Sequence, residues 1–243
     1  VLEYVQNYNI DAVYKSQTNF TEYTTLECDS TNLVAHYKFD GDLLDSSGNE
    51  NHITSVTGTI DYHSDIKQIG QSSLIAENEY VEITALNALT AVWSGAFTIS
   101  FWMYPTTSSK DYLVGGWDNS GSANPRGGWY LRASTGYLAW LVLVNNAFIT
   151  LITSDDPVTS NNWYHVAISS TGNTFSLSLN GVTKTINHTA PLSTPSEPLA
   201  NRYIGVGRAN RWSGTGYDYD NFGAYFDDFR IYDKVLTNAE VYY

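Results

Sequence analysis

One stretch near the start of the chain reads Phe39-Asp40-Gly41-Asp42-Leu43-Leu44-Asp45-Ser46-Ser47-Gly48-Asn49. A second acidic stretch near the end reads Phe226-Asp227-Asp228-Phe229-Arg230-Ile231-Tyr232. Each has the pattern of a strand that carries carboxylates at its turn. Because the first and last strands of a closed β-sandwich can be neighbours in space, these oxygen ligands could meet around one cation. A hard cation such as calcium takes six to eight oxygens.

Apolar and polar residues alternate with period two from Leu33 onward. On one later segment Phe175, Leu177 and Leu179 alternate with Ser176, Ser178 and Asn180. This alternation is typical of strands with one buried side. The pair Asn180-Gly181 favours a two-residue type I′ hairpin, because both central positions need positive φ. Short strands between such turns predict an all-β fold, an antiparallel two-sheet β-sandwich of the jelly-roll type.

The length of 243 residues suits one large β-sandwich. Residues 1–31 show no periodicity, so we interpret them as a leader or connector and expect the jelly-roll domain to span residues 32–243. The leader is rich in Tyr and Asn, unlike a flexible linker. We therefore expect it to be ordered against the sandwich or a partner. The chain starts at Val1 and ends at Tyr243, and we interpret it as a piece of a longer protein.

The charge excludes some partners. The chain has 25 acidic and 12 basic residues and a net charge of −13, so phosphate backbones and anionic lipid surfaces would repel it. No nucleic-acid partner is expected. The sequence lacks an apolar run of 18 residues, so no membrane insertion is expected. The single cysteine, Cys28, rules out an internal disulfide, and sequons begin at Asn19 and Asn187.

Five phrases in order carry a resemblance to a known family. Besides the two acidic stretches, they are Ser73-Leu74 to Tyr80-Val81-Glu82-Ile83, Phe97-Thr98-Ile99-Ser100-Phe101-Trp102-Met103, and Trp163-Tyr164-His165-Val166-Ala167 followed by Ser176-Leu177-Ser178-Leu179-Asn180-Gly181. From about residue 31 to residue 243 the chain resembles laminin-G-like, concanavalin-A-like lectin/glucanase domains. The resemblance implies the same jelly roll.

The resemblance also implies a calcium ion. Its likeliest ligands are the aspartate of the Phe-Asp phrase, Asp40, and the first acid of the Asp-Asp pair, Asp227. Asp42, Asp45 and Asn49 are further candidates from the same loop. The alternative is that Asp45 and Asn49 only cap a turn.

Aromatic residues beside polar ones indicate a carbohydrate surface. Sugars stack their C–H faces on indole rings and leave their hydroxyls to Arg, Asn and Asp. The candidate ligand-binding residues, in two Gly-rich segments, are Trp117, Asp118, Arg126, Trp129, Arg211 and Trp212. The alternative is that each Trp covers the edge of the sandwich.

Nothing in the sequence singles out catalytic residues. Glycosidases of this fold place three acids on one strand as Glu-x-Asp-x-x-Glu, and residues 77–82 read Glu77-Asn78-Glu79-Tyr80-Val81-Glu82. The central Asp is missing, and Glu82 has the opposite strand parity to the other two. The five histidines are scattered, and no Gly-x-Ser-x-Gly occurs.

The sequence therefore predicts a non-catalytic, lectin-like recognition or adhesion module that contains calcium. We expect it outside the cell, on a cell surface or on a virion surface, with a glycan or a surface protein as its partner. The competing hypothesis is a structural subunit that self-assembles in a surface filament or virion. A polysaccharide-degrading enzyme is the third.

Overall fold

A computed structural model describes residues 32–76, 80–84, 95–106, 113–118, 128–134, 136–144, 147–188, 202–212, 217–221 and 223–241. These residues form two sheets, A and B. Sheet A contains β1 (Leu33–Tyr37), β3 (Asp61–His63), β4 (Ser73–Ala76), β6 (Phe97–Pro105), β11 (Tyr164–Ser170), β12 (Thr174–Leu179), β13 (Val182–Asn187) and β17 (Ala224–Tyr232). Sheet B contains β2 (Ser55–Thr57), β5 (Tyr80–Thr84), β7 (Val114–Asp118), β8 (Gly128–Ser134), β9 (Tyr137–Val144), β10 (Ala147–Pro157), β14 (Arg202–Val206), β15 (Arg208–Trp212) and β16 (Tyr217–Asn221).

The strands pair almost entirely antiparallel, as the alternation predicts. Sheet A runs β13-β12-β11-β6-β17-β4-β3, with β1 also on β17, and sheet B runs β10-β9-β8-β7-β14-β5-β2. One parallel contact joins β15 to β7. The predicted two-sheet sandwich is therefore confirmed. The predicted leader, residues 1–31, and Cys28 within it lie outside the described residues.

Strand β17 positions the acidic residues of the last stretch. One of its edges pairs with β6 along most of its length, whereas its other edge is shared between two strands. Ala224 to Phe226 pair with β4, and Phe229 to Tyr232 pair with β1. The register shifts after Asp227, and Asp228 has a φ of 52°. The two aspartates thus lie at an irregular point where β17 changes partners, and bulges of this kind re-aim side chains.

The core lies between the sheets and is rich in aromatic rings. The ring of Phe97 from sheet A lies 6.2 Å from that of Trp129 and 6.1 Å from that of Trp140, both from sheet B. The Trp140 ring also meets Phe175 edge-on at 5.4 Å. All four side chains are fully buried. Aromatic pairs at these spacings add about 0.5–1.5 kcal/mol each beyond the area that they bury.

The turn between β12 and β13 agrees with its sequence signal, and a short helix follows the last strand. Asn180 and Gly181 have φ values of 48° and 80° and join β12 to β13, so the type I′ hairpin is confirmed. Among the described residues, an α-helix, α1, spans Asn238–Val241. A capping box forms its N-terminus, because the Thr237 N–H donates to the Glu240 carboxylate and the Glu240 N–H donates to the Thr237 hydroxyl. In the described part of the chain, no helix is both long and apolar enough to span a membrane.

Candidate functional site

Asp40 and Asp227 bind the same loop, residues 66–72. Asp227 Oδ2 accepts hydrogen bonds from the amides of Gln68 at 2.8 Å and Ile69 at 2.9 Å. Asp40 Oδ1 accepts from the amide of Ser72 at 3.1 Å and from that of Gln71. The structure therefore brings together the two carboxylates from the opposite ends of the domain, around one short segment.

Gly70 makes this approach possible. It has a φ of 67°, and a Cβ atom at this position would overlap the carboxylate of Asp40. Only a residue without a side chain both adopts this conformation freely and leaves room for the carboxylate. The amides of residues 68, 69, 71 and 72 can then all point at the two aspartates.

One carboxylate oxygen of Asp227 is buried without a hydrogen bond from the described residues to offset its loss of solvation. The residue is fully buried, and within the described part of the chain its Oδ1 atom has no hydrogen-bond partner. Burial raises the pKa of Asp227 to about 7, and the negative charges of Asp228 and Asp40 act in the same direction against the two amide hydrogen bonds. A buried, unpaired carboxylate oxygen beside a second carboxylate is a costly arrangement that a bound cation would relieve. The residues present therefore fit a hard cation.

The other three candidate ligands belong to the turn. Asp45 accepts from the amides of His36, Ser47 and Asn51 at 2.8–2.9 Å and from the Ser47 hydroxyl at 2.7 Å. These hydrogen bonds hold its pKa below the usual value, although burial acts to raise it. Asn49 donates through Nδ2 to the carbonyls of Leu33 and Val34.

Asp42 accepts from the amide of Leu44 at 3.0 Å in an exposed turn. Among the residues that the structure describes, no group of three or more His, Cys, Asp and Glu side chains is placed to hold a metal. The metal-ligand role expected of Asp42, Asp45 and Asn49 stays a prediction, while Asp42 and Asp45 accept hydrogen bonds from amides of their own turn. The hydrogen bonds of Asp45 and Asn49 hold their turn against β1, as the capping alternative expects.

One residue expected to bind carbohydrate, Trp129, lies in the core instead. Trp129 is fully buried, stacked on Phe97 and meeting Trp140 edge-on at 6.3 Å. It alternates with Tyr130 along β8 and faces the core, so the expectation that it stacks on a sugar is wrong. Arg126 lies outside the described residues. So do the side chains of Trp117 and Asp118, which lie on β7, and of Arg211 and Trp212, which lie on β15.

A different set of aromatic rings lines the outer face of sheet A. The ring of Trp163 lies 5.4 Å from that of Tyr104, Tyr104 lies 5.8 Å from Tyr225, and Tyr225 lies 5.3 Å from His63. Trp163 and Tyr104 are partly exposed, His63 is exposed and Tyr225 is buried. We call these four residues the aromatic ladder. They come from β6, β17, β3 and the turn before β11, so the ladder crosses the sheet.

The ladder was within reach of sequence reasoning. On β6, Phe101 and Met103 are buried, while Trp102 and Tyr104 alternate with them and are partly exposed. Strand parity could therefore have identified Trp102 and Tyr104 as outward aromatic residues, although the sequence analysis did not use it there. The sequence did not show that Tyr225 and His63 would join them, because that depends on the order of the strands.

The ladder lies beside Asp227. Tyr104 pairs in register with Tyr225, and Trp102 pairs with Asp227 two residues further along the same strands. Two residues of a strand span about 6.7 Å. The irregular point of β17 that holds Asp227 therefore adjoins the row of rings.

Of the three acidic residues considered for catalysis, the structure describes only Glu82. Glu82 lies on β5, where its carboxylate accepts a hydrogen bond from the Ser55 hydroxyl at 2.8 Å. Glu77 and Glu79 lie outside the described residues.

Comparison with known proteins identifies a matching family and several solved structures with a similar fold. The family model for the concanavalin A-like lectin/glucanases superfamily, of laminin-G type, matches residues 76–242. A search of curated proteins finds no match. Domain 4 of AbnA, a GH43 extracellular arabinanase from Geobacillus stearothermophilus solved in complex with arabinotriose, has 22% identity and a TM-score of 0.66, over 87% of this chain and 97% of that one.

Toxin binding domains share the fold as well. The structure reported for cell entry of botulinum neurotoxin type C, described as dependent on two ganglioside molecules, has 14% identity and a TM-score of 0.62. The binding domain of Paraclostridial Mosquitocidal Protein 1 has 20% identity and a TM-score of 0.62. Each match covers 88% of this chain, which spans about half of the toxin chains, 50% and 51% respectively. At these identities the likeness establishes a shared fold.

Proposed function

Because the chain belongs to the concanavalin A-like lectin/glucanase superfamily, we propose that it is a non-catalytic module that binds carbohydrate outside the cell and holds a calcium ion. The aromatic ladder is the observation that carries the carbohydrate part. The buried, unpaired Oδ1 of Asp227 supports the calcium part.

The ladder has the chemistry of a sugar platform. Partly exposed rings offer flat apolar surface, while the Tyr hydroxyls and the His63 nitrogens offer hydrogen bonds to sugar hydroxyls. Its successive ring spacings of 5.3–5.8 Å make a contiguous row. A contiguous row favours an extended chain of sugar units over a single compact ligand.

The charge of the chain limits the class of glycan. With a net charge of −13, the surface would repel a polyanionic polysaccharide at low ionic strength. We therefore assign neutral glycans to the ladder. Binding to such a shallow surface is weak, with a Kd of about μM to mM, or about −8 to −4 kcal/mol.

Calcium would hold the irregular point of β17 beside the ladder. Asp40 and Asp227 would supply carboxylate oxygens, and the ion would neutralise their charge where burial opposes it. Related folds give this proposal its context, since the domain of the arabinanase was solved with arabinotriose and a botulinum neurotoxin depends on gangliosides. Arabinotriose and the gangliosides are ligands of those proteins.

A glycan array with and without chelator tests the proposal. We expect neutral oligosaccharides to bind, and Tyr104→Ala and Trp163→Ala each to weaken binding at least tenfold. Tyr137→Ala is the matched control, because Tyr137 is an exposed aromatic residue on sheet B. Circular dichroism checks that the variants fold.

Three results would contradict the proposal. The first is glycan binding that survives both ladder substitutions, and the second is no glycan binding under any condition. The third is release of shortened sugars from a bound oligosaccharide, which would show an enzyme instead.

A further inference from the structure

The structure assigns a second, smaller binding site to the other end of the outer face of sheet A: a pocket for one neutral sugar unit under the C-terminal segment, residues 233–241. This site uses none of the ladder residues and stands independently of the proposed function. It lies along β6 from the ladder, since Thr98 lines the pocket and Tyr104 lies six residues further on.

The floor of the pocket is built from two rows of small side chains, all of which carry a hydroxyl except that of Ala167. One row crosses four strands in register as Thr98, Ser169, Ser176 and Thr185. The next row is Ser100, Ala167, Ser178 and Thr183. All except Ser100 line the cavity. Such small side chains leave an uncharged surface with many hydrogen-bonding groups.

The roof is aliphatic apart from Asn238 and is held in place. Val235, Leu236 and Val241 contribute carbon surface to the cavity. Thr98 fixes this roof twice, because its hydroxyl donates to the carbonyl of Lys234 at 2.8 Å and accepts from the amide of Leu236 at 2.9 Å. The pocket is therefore a defined space between two anchored layers.

One buried hydroxyl in this pocket is unused. Ser178 is 4% exposed, and within the described part of the chain its Oγ has no hydrogen-bond partner. By contrast, the hydroxyls of Ser176 and Thr185 pair with each other at 2.8 Å. A buried hydroxyl without a partner carries a cost that a ligand hydroxyl would remove.

Size and charge select the ligand. The cavity of about 150 Å³ exceeds the ~30 Å³ that one water occupies but falls below the ~300 Å³ at which sites for larger molecules begin. Its described lining residues carry no charge, so a carboxylate or ammonium group would be buried without a partner. A ligand with hydroxyls on one face and C–H groups on the other matches the two walls. That ligand is a single neutral sugar ring, free or at the end of a glycan.

Titration by NMR tests the site. The probes are the methyl glycosides of glucose, galactose and arabinose, one trisaccharide of each, and glucuronate as the charged counterpart. We expect saturable amide shifts in β11 to β13 and in residues 233–241 with at least one neutral probe, and at least tenfold weaker binding of glucuronate. Tighter binding of the trisaccharide identifies a glycan end, and equal binding identifies a free sugar.

Ser178→Ala and Thr183→Val remove one hydroxyl each and should weaken binding about three- to tenfold, as expected for one hydrogen bond. Thr150→Val is the control, because it makes the same change at an exposed position on sheet B. The assignment is overturned if no neutral probe gives saturable shifts there, if both pocket variants bind like the wild type, or if glucuronate binds equally well.

Discussion

Asp40 and Asp227 hydrogen-bond neighbouring amides of one loop, although they come from opposite ends of the described domain. Asp40 follows β1, and Asp227 lies within β17, the last strand. The loop between β3 and β4 thus ties the start of the sandwich to its end. The negative charge of Asp40 also adds to the raised pKa of Asp227, so the two carboxylates oppose each other unless a cation lies near them.

Chelation should destabilise the protein. A ligand that binds only the folded state stabilises it by RT ln(1 + [L]/Kd), about 2.7 kcal/mol at a hundredfold excess over Kd. For a chain of this size, 1 kcal/mol corresponds to about 2–4 °C in Tm. Differential scanning calorimetry with calcium and with EGTA measures the shift. Asp227→Asn should abolish it, while Asp42→Asn should retain it, and equal Tm values for the wild type in the two buffers would refute the calcium proposal.

Gly70→Ala should destabilise the protein by well over 1 kcal/mol. The alanine must adopt a positive φ, and its methyl group must displace the Asp40 carboxylate. Gly41→Ala is the matched control, because Gly41 also has positive φ but has open space around its Cβ position. Urea unfolding measures both. Equal losses for the two variants would show that backbone strain alone, and not the carboxylate contact, makes Gly70 necessary.

Asp228→Ala should cost about 3–5 kcal/mol, the range for breaking a buried ion pair. The Asp228 carboxylate lies 2.5 Å from His36 Nε2 and 2.8 Å from Arg230 Nη2, and it is 9% exposed. Asp155→Ala removes a pair with Lys184 at 2.6 Å whose carboxylate is 64% exposed, so its cost should stay below about 1 kcal/mol. Chemical unfolding at pH 7 compares the two. A loss below 1 kcal/mol at Asp228 would show that the pair is not buried in solution.

His165 should make the protein sensitive to acid. Burial lowers its pKa to about 4 from the ordinary 6.5, so the unfolded chain binds more protons than the folded one between these values. The stability linked to His165 is therefore complete above pH 6.5 and is lost as the pH falls toward 4, by up to about 3 kcal/mol. His165→Asn should show a shallower decline in Tm over this range, whereas His63→Asn, at an exposed site, should match the wild type. A decline in His165→Asn as steep as that of the wild type would contradict this role.

Local sequence patterns accounted for much of the fold. Alternation predicted the buried Phe175, Leu177 and Leu179 on β12, and Asn180-Gly181 predicted the turn between β12 and β13. These patterns succeed because period-two burial and positive φ act on residues that are close in sequence. Local pattern was misleading at Trp129. Its Gly-rich flank suggested a loop, whereas the residue lies on β8 and its side chain is buried in the core.

The amino-acid sequence by itself determined the two-sheet sandwich, its hairpin turn and the acidic residues that could hold a cation. Only the tertiary structure decided which of them converge. Asp45 and Asn49 satisfy local donors and acceptors in their own turn, whereas Asp227 meets the same loop as Asp40 because β17 changes partners from β4 to β1 at that point. The aromatic ladder depends in the same way on the order β6-β17-β4-β3. Strand order results from packing across the whole sandwich, and no local pattern encodes it.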